Sequence, residues 1–348
     1  MTTQVRSPRG AQSCIIDARI LAHLVDELQP KGRSTMCRCA ILFAVVSLWL
    51  PVVAFSQTRT PEAAVNHFQN AEKKINNGDF DGAIEDYTRA IRLSSHLDPL
   101  KSSNSRLENS FTDYSVESIT VIDPFTANAY NNRGLVRYKK GDYNGAIADF
   151  DQALRIRPGL PSAFLNRAAA LRASGDLQGA LKDLDKAISL KKDFYEAFSN
   201  RGSLRLDFGD ADGALSDLNR SIELNDRVPE SLYQRGYAYV RKRNFDRALE
   251  DFNRALRLAP EMAWAYQGRG TALMQKGEMV KAIDDFTRAI ELDPKIVWAY
   301  FNRGLAKVYL GDESAAQKDF DEFLRLKPEL KAELDQKIEL ARNLRAKK

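Results

Sequence analysis

Residues 127–160 read ANAYNNRGLVRYKKGDYNGAIADFDQALRIRPGL, and this window returns every 34 residues almost to the end of the chain. Gly134 reappears as Ala168, Gly202, Gly236, Gly270 and Gly304, and Ala146 as Ala180, Ala214, Ala248, Ala282 and Ala316. Ala153 becomes Ala187, Ser221, Ala255, Ala289 and then Phe323, which breaks the run of small residues. Pro158 returns as Pro260, Pro294 and Pro328.

Inside the window the apolar and small residues fall at helical spacing. Ala129, Tyr130, Gly134 and Tyr138 mark one face of a first helix, and Ala146, Phe150, Ala153 and Leu154 one face of a second. Gly141 and Asp142 separate them, because glycine tolerates a left-handed helix end and aspartate caps the next start. Small residues let two backbones approach, Phe150 fills the space they leave, and Pro158 closes the second helix. A lone hairpin of this kind cannot bury its apolar faces; stacking it on copies of itself can.

A helix–turn–helix unit of this period, with small residues and a closing proline, resembles the tetratricopeptide repeat (TPR) family. The resemblance implies an all-α fold: a right-handed α-solenoid of about seven repeats, first helices lining the concave side, and a C-terminal capping helix. It covers a first repeat at 64–97 and six contiguous repeats at 127–330. The stretch 98–126, rich in Ser, Asn and Asp, interrupts the period and reads as an inserted loop. Residues 331–348 read as the capping helix and tail, with Leu334, Ile338 and Ala341 facing the open end of the stack.

Residues 1–56 differ from the rest. Residues 39–55, CAILFAVVSLWLPVVAF, are apolar and uncharged, with Arg38 before them and Ala54-Phe55-Ser56 fitting a cleavage site. That is the layout of a secretory signal peptide, with Met36 a candidate start and Gln57 the new N-terminus. An uncleaved inner-membrane anchor through 39–55 is the alternative, and membrane is implied only in that case. Export, most simply to a bacterial periplasm, follows from either reading. Cys14, Cys37 and Cys39 all precede or begin the apolar run, so the repeats have no thiol for a disulfide, a nucleophile or a zinc site.

The net charge is +5, but the first 56 residues hold six bases and three acids; subtracting these from 52 and 47 leaves 46 and 44 in residues 57–348. Bases and acids alternate through every repeat, so no nucleic-acid partner is expected. Catalytic residues, cofactor and metal are likewise not expected. His67 and His96 are far apart, and Gly268-Arg269-Gly270 lies inside a helix pattern and not after a strand. Asn77-Gly78-Asp79 resembles the opening of a calcium loop, yet Thr88 stands where its closing acid would be, and capping explains the acid-rich turn better.

In TPR proteins the second, fifth, sixth, ninth, twelfth and thirteenth repeat positions commonly face the groove. The sixth holds Asn132, Asn166, Asn200, Gln234, Gly268 and Asn302, an amide row similar to the asparagine ladder of O-linked N-acetylglucosamine transferases. Such a row suits the backbone of an extended peptide; bonding between neighbouring helices is the equal alternative. Specificity is expected from Tyr233, Tyr237, Trp264, Gln267, Trp298 and Phe301, with inter-repeat packing as the rival reading for some of them. The fifth position carries no lysine, which disfavours clamping of an acidic C-terminus.

One regularity is this chain's own. The seventh position is Arg133, Arg167, Arg201, Arg235, Arg269 and Arg303, and the twenty-third is Asp149, Asp183, Asp217, Asp251, Asp285 and Asp319. Asn70 replaces the arginine in the first repeat, which keeps Asp86. The pattern predicts a structural ladder of Arg–Asp pairs. The sequence thus reads as a scaffold binding peptide or helical segments of partner proteins. A membrane-anchored envelope assembly or secretion factor using the same groove is the alternative, and an activity housed in 98–126 is the disfavoured third.

Overall fold

The computed structural model describes residues 60–95 and 124–346. The leader, the cleavage site, most of the insertion and the last two residues of the tail lie outside the described residues. Among the described residues the secondary structure is helical, without strands. Helices pair as α1 (Glu62–Asn76) with α2 (Phe80–Ser95), α3 (Pro124–Lys139) with α4 (Tyr143–Ile156), and α5 (Pro161–Ser174) with α6 (Leu177–Leu190). The stack continues with α7 (Tyr195–Asp207) and α8 (Ala211–Leu224), then α9 (Pro229–Arg241) and α10 (Phe245–Leu258). It ends with α11 (Ala263–Gln275) and α12 (Met279–Leu292), α13 (Val297–Leu310) and α14 (Glu313–Leu326), and the single helix α15 (Lys331–Ala346).

The turns are built as their residues require. Gly141 adopts φ +83°, and Asp142 then accepts a hydrogen bond from the Gly145 amide at 2.9 Å. The same glycine-then-cap pair recurs at Gly175-Asp176 and Gly209-Asp210. Asp79 likewise caps α2 through the Gly82 amide, which is the role of the acid-rich turn there. The fifth pair departs: Arg243 takes φ 58° in place of glycine, and Asn244 caps α10.

Each hairpin closes on a small-against-large contact. A Cβ added to Gly134 would sit 2.7 Å from Cε1 of Phe150, so only glycine admits that ring. Where Ala168 stands instead, the facing residue is the smaller Leu184. Ser221, in an alanine position, is fully buried and bonded to the Tyr195 carbonyl and to Ser231, which donates to Ser199. First helices of adjacent pairs touch from α3 through α13, forming one continuous inner row.

Two differences from the sequence reading are physical. Helix α3 begins at Pro124, so the last residues assigned to the insertion form its first turn; proline's fixed φ suits that position. Phe125 packs on Phe68 there, and Thr126 donates to Ser94 at 2.7 Å. Phe323, which broke the small-residue run, is fully buried and shares a cluster with Leu334 and Ala341 of α15. The large ring and the amphipathic helix α15 pack together at this end of the described stack.

Candidate functional site: the inner row and its ion-pair ladder

The Arg–Asp ladder is present throughout. Arg201 places Nε 2.8 Å and Nη2 2.6 Å from the two oxygens of Asp217, and the other five pairs repeat the fork. The third arm reaches backward. Nη1 of Arg201 donates to Asp185 of the preceding pair at 2.7 Å, Arg235 to Asn219 at 2.9 Å and Arg303 to Thr287 at 3.0 Å. One guanidinium therefore ties its own hairpin shut and fixes the register of the hairpin before it. An aromatic face covers most of these groups, as Phe198 does Arg201 at 5.6 Å. In the fifth repeat Leu232 stands at the usual aromatic position, and Tyr239 supplies the face instead.

Several carboxylates have a second cation that the sequence reading missed. Arg137 reaches Asp149 at 3.0 Å, Arg205 reaches Asp217 at 2.8 Å and Lys307 reaches Asp319 at 2.8 Å. Four residues separate each from the ladder arginine, a spacing that was legible in the chain. In the first repeat His67 and Lys74 both lie 2.8 Å from Asp86 and replace the missing arginine. Burial acts to raise the Asp86 carboxyl, but the hydrogen bonds from Lys74 and His67 outweigh it and hold it below the ordinary carboxylate range. The hydrogen bond to Asp217 likewise raises the Arg201 guanidinium against its own burial, so it stays charged.

The amide row is divided. Asn131 donates to Asn132 at 3.2 Å and accepts from Asn166 at 3.0 Å, so these amides are partly engaged with one another. Asn200 is exposed and borders a hollow of about 480 Å³ with Tyr138, Arg172 and Leu204. Gln234 is half-buried. Asn302 is half-buried too, and opens on a second hollow, of about 350 Å³.

That second hollow gathers six of the expected groove residues: Tyr233, Tyr237, Trp264, Gln267, Trp298 and Asn302. Trp264, Trp298 and Tyr237 are 48%, 43% and 40% exposed, large apolar surfaces left facing outward. Tyr233 is less accessible. It leans on Phe252 with ring centroids 6.0 Å apart, and burial, with Tyr237 adding, pushes its hydroxyl up to about 12. Phe301 is a correction: it is only 7% exposed, packed between Trp298 and Phe323, and belongs to the core. The extra ring at position 323 draws it inward. Gly268 lines the hollow too, as do Val240 and Thr271, which stand at the twelfth and ninth positions and were not singled out by name. Among the described residues no group of three or more His, Cys, Asp or Glu is placed to hold a metal, and no helix is long and apolar enough to cross a membrane.

Stacked hairpins with an open, aromatic inner face define a helical-repeat scaffold for protein–protein contact. Family profiles described as tetratricopeptide repeat match residues 127–160, 165–230, 233–295 and 299–330, and the chain belongs to that family. No curated protein matches it. Among solved structures it is similar to a tetratricopeptide repeat protein from Parabacteroides merdae, at 18% identity and TM-score 0.56, over 81% of this chain and 99% of that one. It is also similar to PilF of Pseudomonas aeruginosa, at 18% identity and TM-score 0.52, over 58% and 92% of the two chains. A chain of the APC/C hetero-tetramer Cut9–Hcn1 aligns at 14% identity and TM-score 0.58, covering 78% of this chain and 54% of that one. At these identities the likeness is one of fold.

Proposed function

We propose that this protein is an exported, non-catalytic scaffold that receives a peptide or helical segment of a partner protein on its inner face. The observation that carries the reading is the hollow flanked by Tyr237, Trp264 and Trp298, three exposed aromatics at groove positions of successive repeats. Interface hot spots are rich in such residues because they bury much area at small entropic cost. The ladder supports the same reading, since it fixes the register of the repeats and so presents a preformed wall. Export rests on residues 39–55, and the mass of the purified protein tests it: a chain starting at Gln57 is secreted, and one retaining 39–55 is anchored.

The binding test is crosslinking in the native envelope followed by identification of crosslinked peptides, with wild type against Trp264→Ala/Tyr237→Ala. Both side chains are exposed, so the variant keeps its core. Crosslinks on α9, α11 and α13 that vanish in the variant support the groove. A partner captured undiminished by the variant overturns it.

A further inference from the structure

The hollow on the inner row has a chemistry more specific than "apolar". Its walls are aromatic, its polar groups are the amides of Gln267 and Asn302, the Thr271 hydroxyl and the tyrosine and tryptophan heteroatoms, and among the described residues no charged side chain lines it. Gly268 also lines it, at the position where the six other repeats carry an asparagine or glutamine. A Cβ on Gly268 would lie 2.7 Å from Cε1 of Phe252, and with glycine there no amide side chain takes up room in the hollow. Trp264 and Trp298 stand at the same repeat position on either side of that space. Trp298 is braced by Phe301 at 5.4 Å and Phe323 at 5.9 Å, whereas Trp264 makes no ring contact among the described residues and is 48% exposed.

The donor and acceptor inventory narrows the occupant. The tyrosine hydroxyls and the two amides can donate or accept, the Thr271 hydroxyl is spent on the Gln267 carbonyl, and the two indole N–H groups, which can only donate, tip the balance of the hollow toward donors. A charged ligand side chain would lose water here with no opposite charge to meet it. The site suits a ligand rich in carbonyl acceptors, poor in N–H groups, and apolar between them. Proline has no backbone N–H, and a proline-rich segment is extended with its carbonyls unspent and little conformational freedom left to lose. Resting on the groove reading above, we propose that the hollow between Trp264 and Trp298 is a subsite for an uncharged, proline-rich segment of the partner protein.

The test uses the full-length protein and capped, dye-labelled peptides containing two Pro-Pro-Leu-Pro blocks, read by fluorescence anisotropy. Matched probes carry alanine for every proline, or glutamate for each leucine. The expected result is binding of the proline peptide, with both matched probes and Trp264→Ala each weaker by about tenfold or more. Trp264→Phe, which keeps a ring but loses the N–H, should fall between wild type and Trp264→Ala. Equal binding of the proline and alanine probes, both sensitive to Trp264→Ala, overturns the proline subsite and leaves the groove intact. Proline-peptide binding that ignores Trp264→Ala overturns the subsite as well, since the peptide then sits elsewhere. So does a dimer that dissociates in Trp264→Ala, because a second copy would then fill the hollow. Absence of any peptide binding removes the proposal, while the crosslinking experiment decides the groove independently.

Discussion

Asp251→Ala isolates the ladder at its simplest rung. Asp251 is 3% exposed and, among the described residues, its one cationic partner is Arg235, with Nε and Nη2 each 2.7 Å from its oxygens. The third arm of Arg235 goes to the neutral Asn219. Removing the carboxylate strands a guanidinium whose side chain is 17% exposed. Breaking a buried pair from one side costs about 3–5 kcal/mol, because the remaining charge is left desolvated without compensation. Replacing both members by apolar groups of similar volume, as in Arg235→Met/Asp251→Leu, should bring most of that back. Asn219→Ala, which loses one hydrogen bond at an exposed edge, should cost about 1 kcal/mol.

Urea unfolding followed by helical circular dichroism gives the ranking, and hydrogen exchange places it. Neighbour-coupled repeats unfold in parts, so the loss should concentrate in α9 and α10. There the amides should exchange roughly two to three and a half orders of magnitude faster in Asp251→Ala than in wild type, at about 1.4 kcal/mol per tenfold. The reasoning is refuted if Asp251→Ala is no worse than Asn219→Ala, or if the double variant is as unstable as the single.

Gly270→Ala should cost about 1–3 kcal/mol, because the new methyl would lie 2.8 Å from Cε1 of Phe286, and adding Phe286→Leu should recover most of it, the Ala168–Leu184 combination already being native in the third repeat; thermal unfolding checks both. Arg243→Gly should stabilise the α9–α10 hairpin by about 1 kcal/mol, since φ 58° strains any residue with a Cβ, and an unchanged urea midpoint would count against that strain. Tyr233 loses its proton near 12 in the folded protein against an ordinary 10.0, so its contribution is whole below pH 10 and is lost as pH rises toward 12. Alkaline unfolding of wild type against Tyr233→Phe measures it, the variant being the less sensitive across that window.

Much of this was legible in the chain, for a reason that particular residues make plain. Arg201 and Asp217 lie in one hairpin, 16 residues apart, and the fork that joins them depends only on the geometry of that unit. Repetition printed the same separation six times, so the pair could be read without coordinates. Gly134 opposite Phe150 and the cap at Asp142 are local in the same sense. The second cations, Arg137, Arg205 and Lys307, were just as local and were missed only because they do not recur in every repeat.

What lies between repeats was settled elsewhere. Phe301 and Trp298 looked alike as groove aromatics, yet Phe301 is core and Trp298 is 43% exposed: Phe323 on α14 packs on both, and Phe301 is enclosed between Phe323 and Trp298. Asn131, Asn132 and Asn166 engage one another across adjoining first helices, while Asn200 stays exposed. Gly268 looked like a gap in the amide row and lines the hollow, with Phe252 of the hairpin before it packed close against its backbone. Sequence by itself determined the repeating unit, its closing contacts and its charge pairs, since each needs only one hairpin's spacing. Only the tertiary structure decided which inner-row side chains remain accessible, because that depends on the volume each neighbouring repeat pushes into the shared wall.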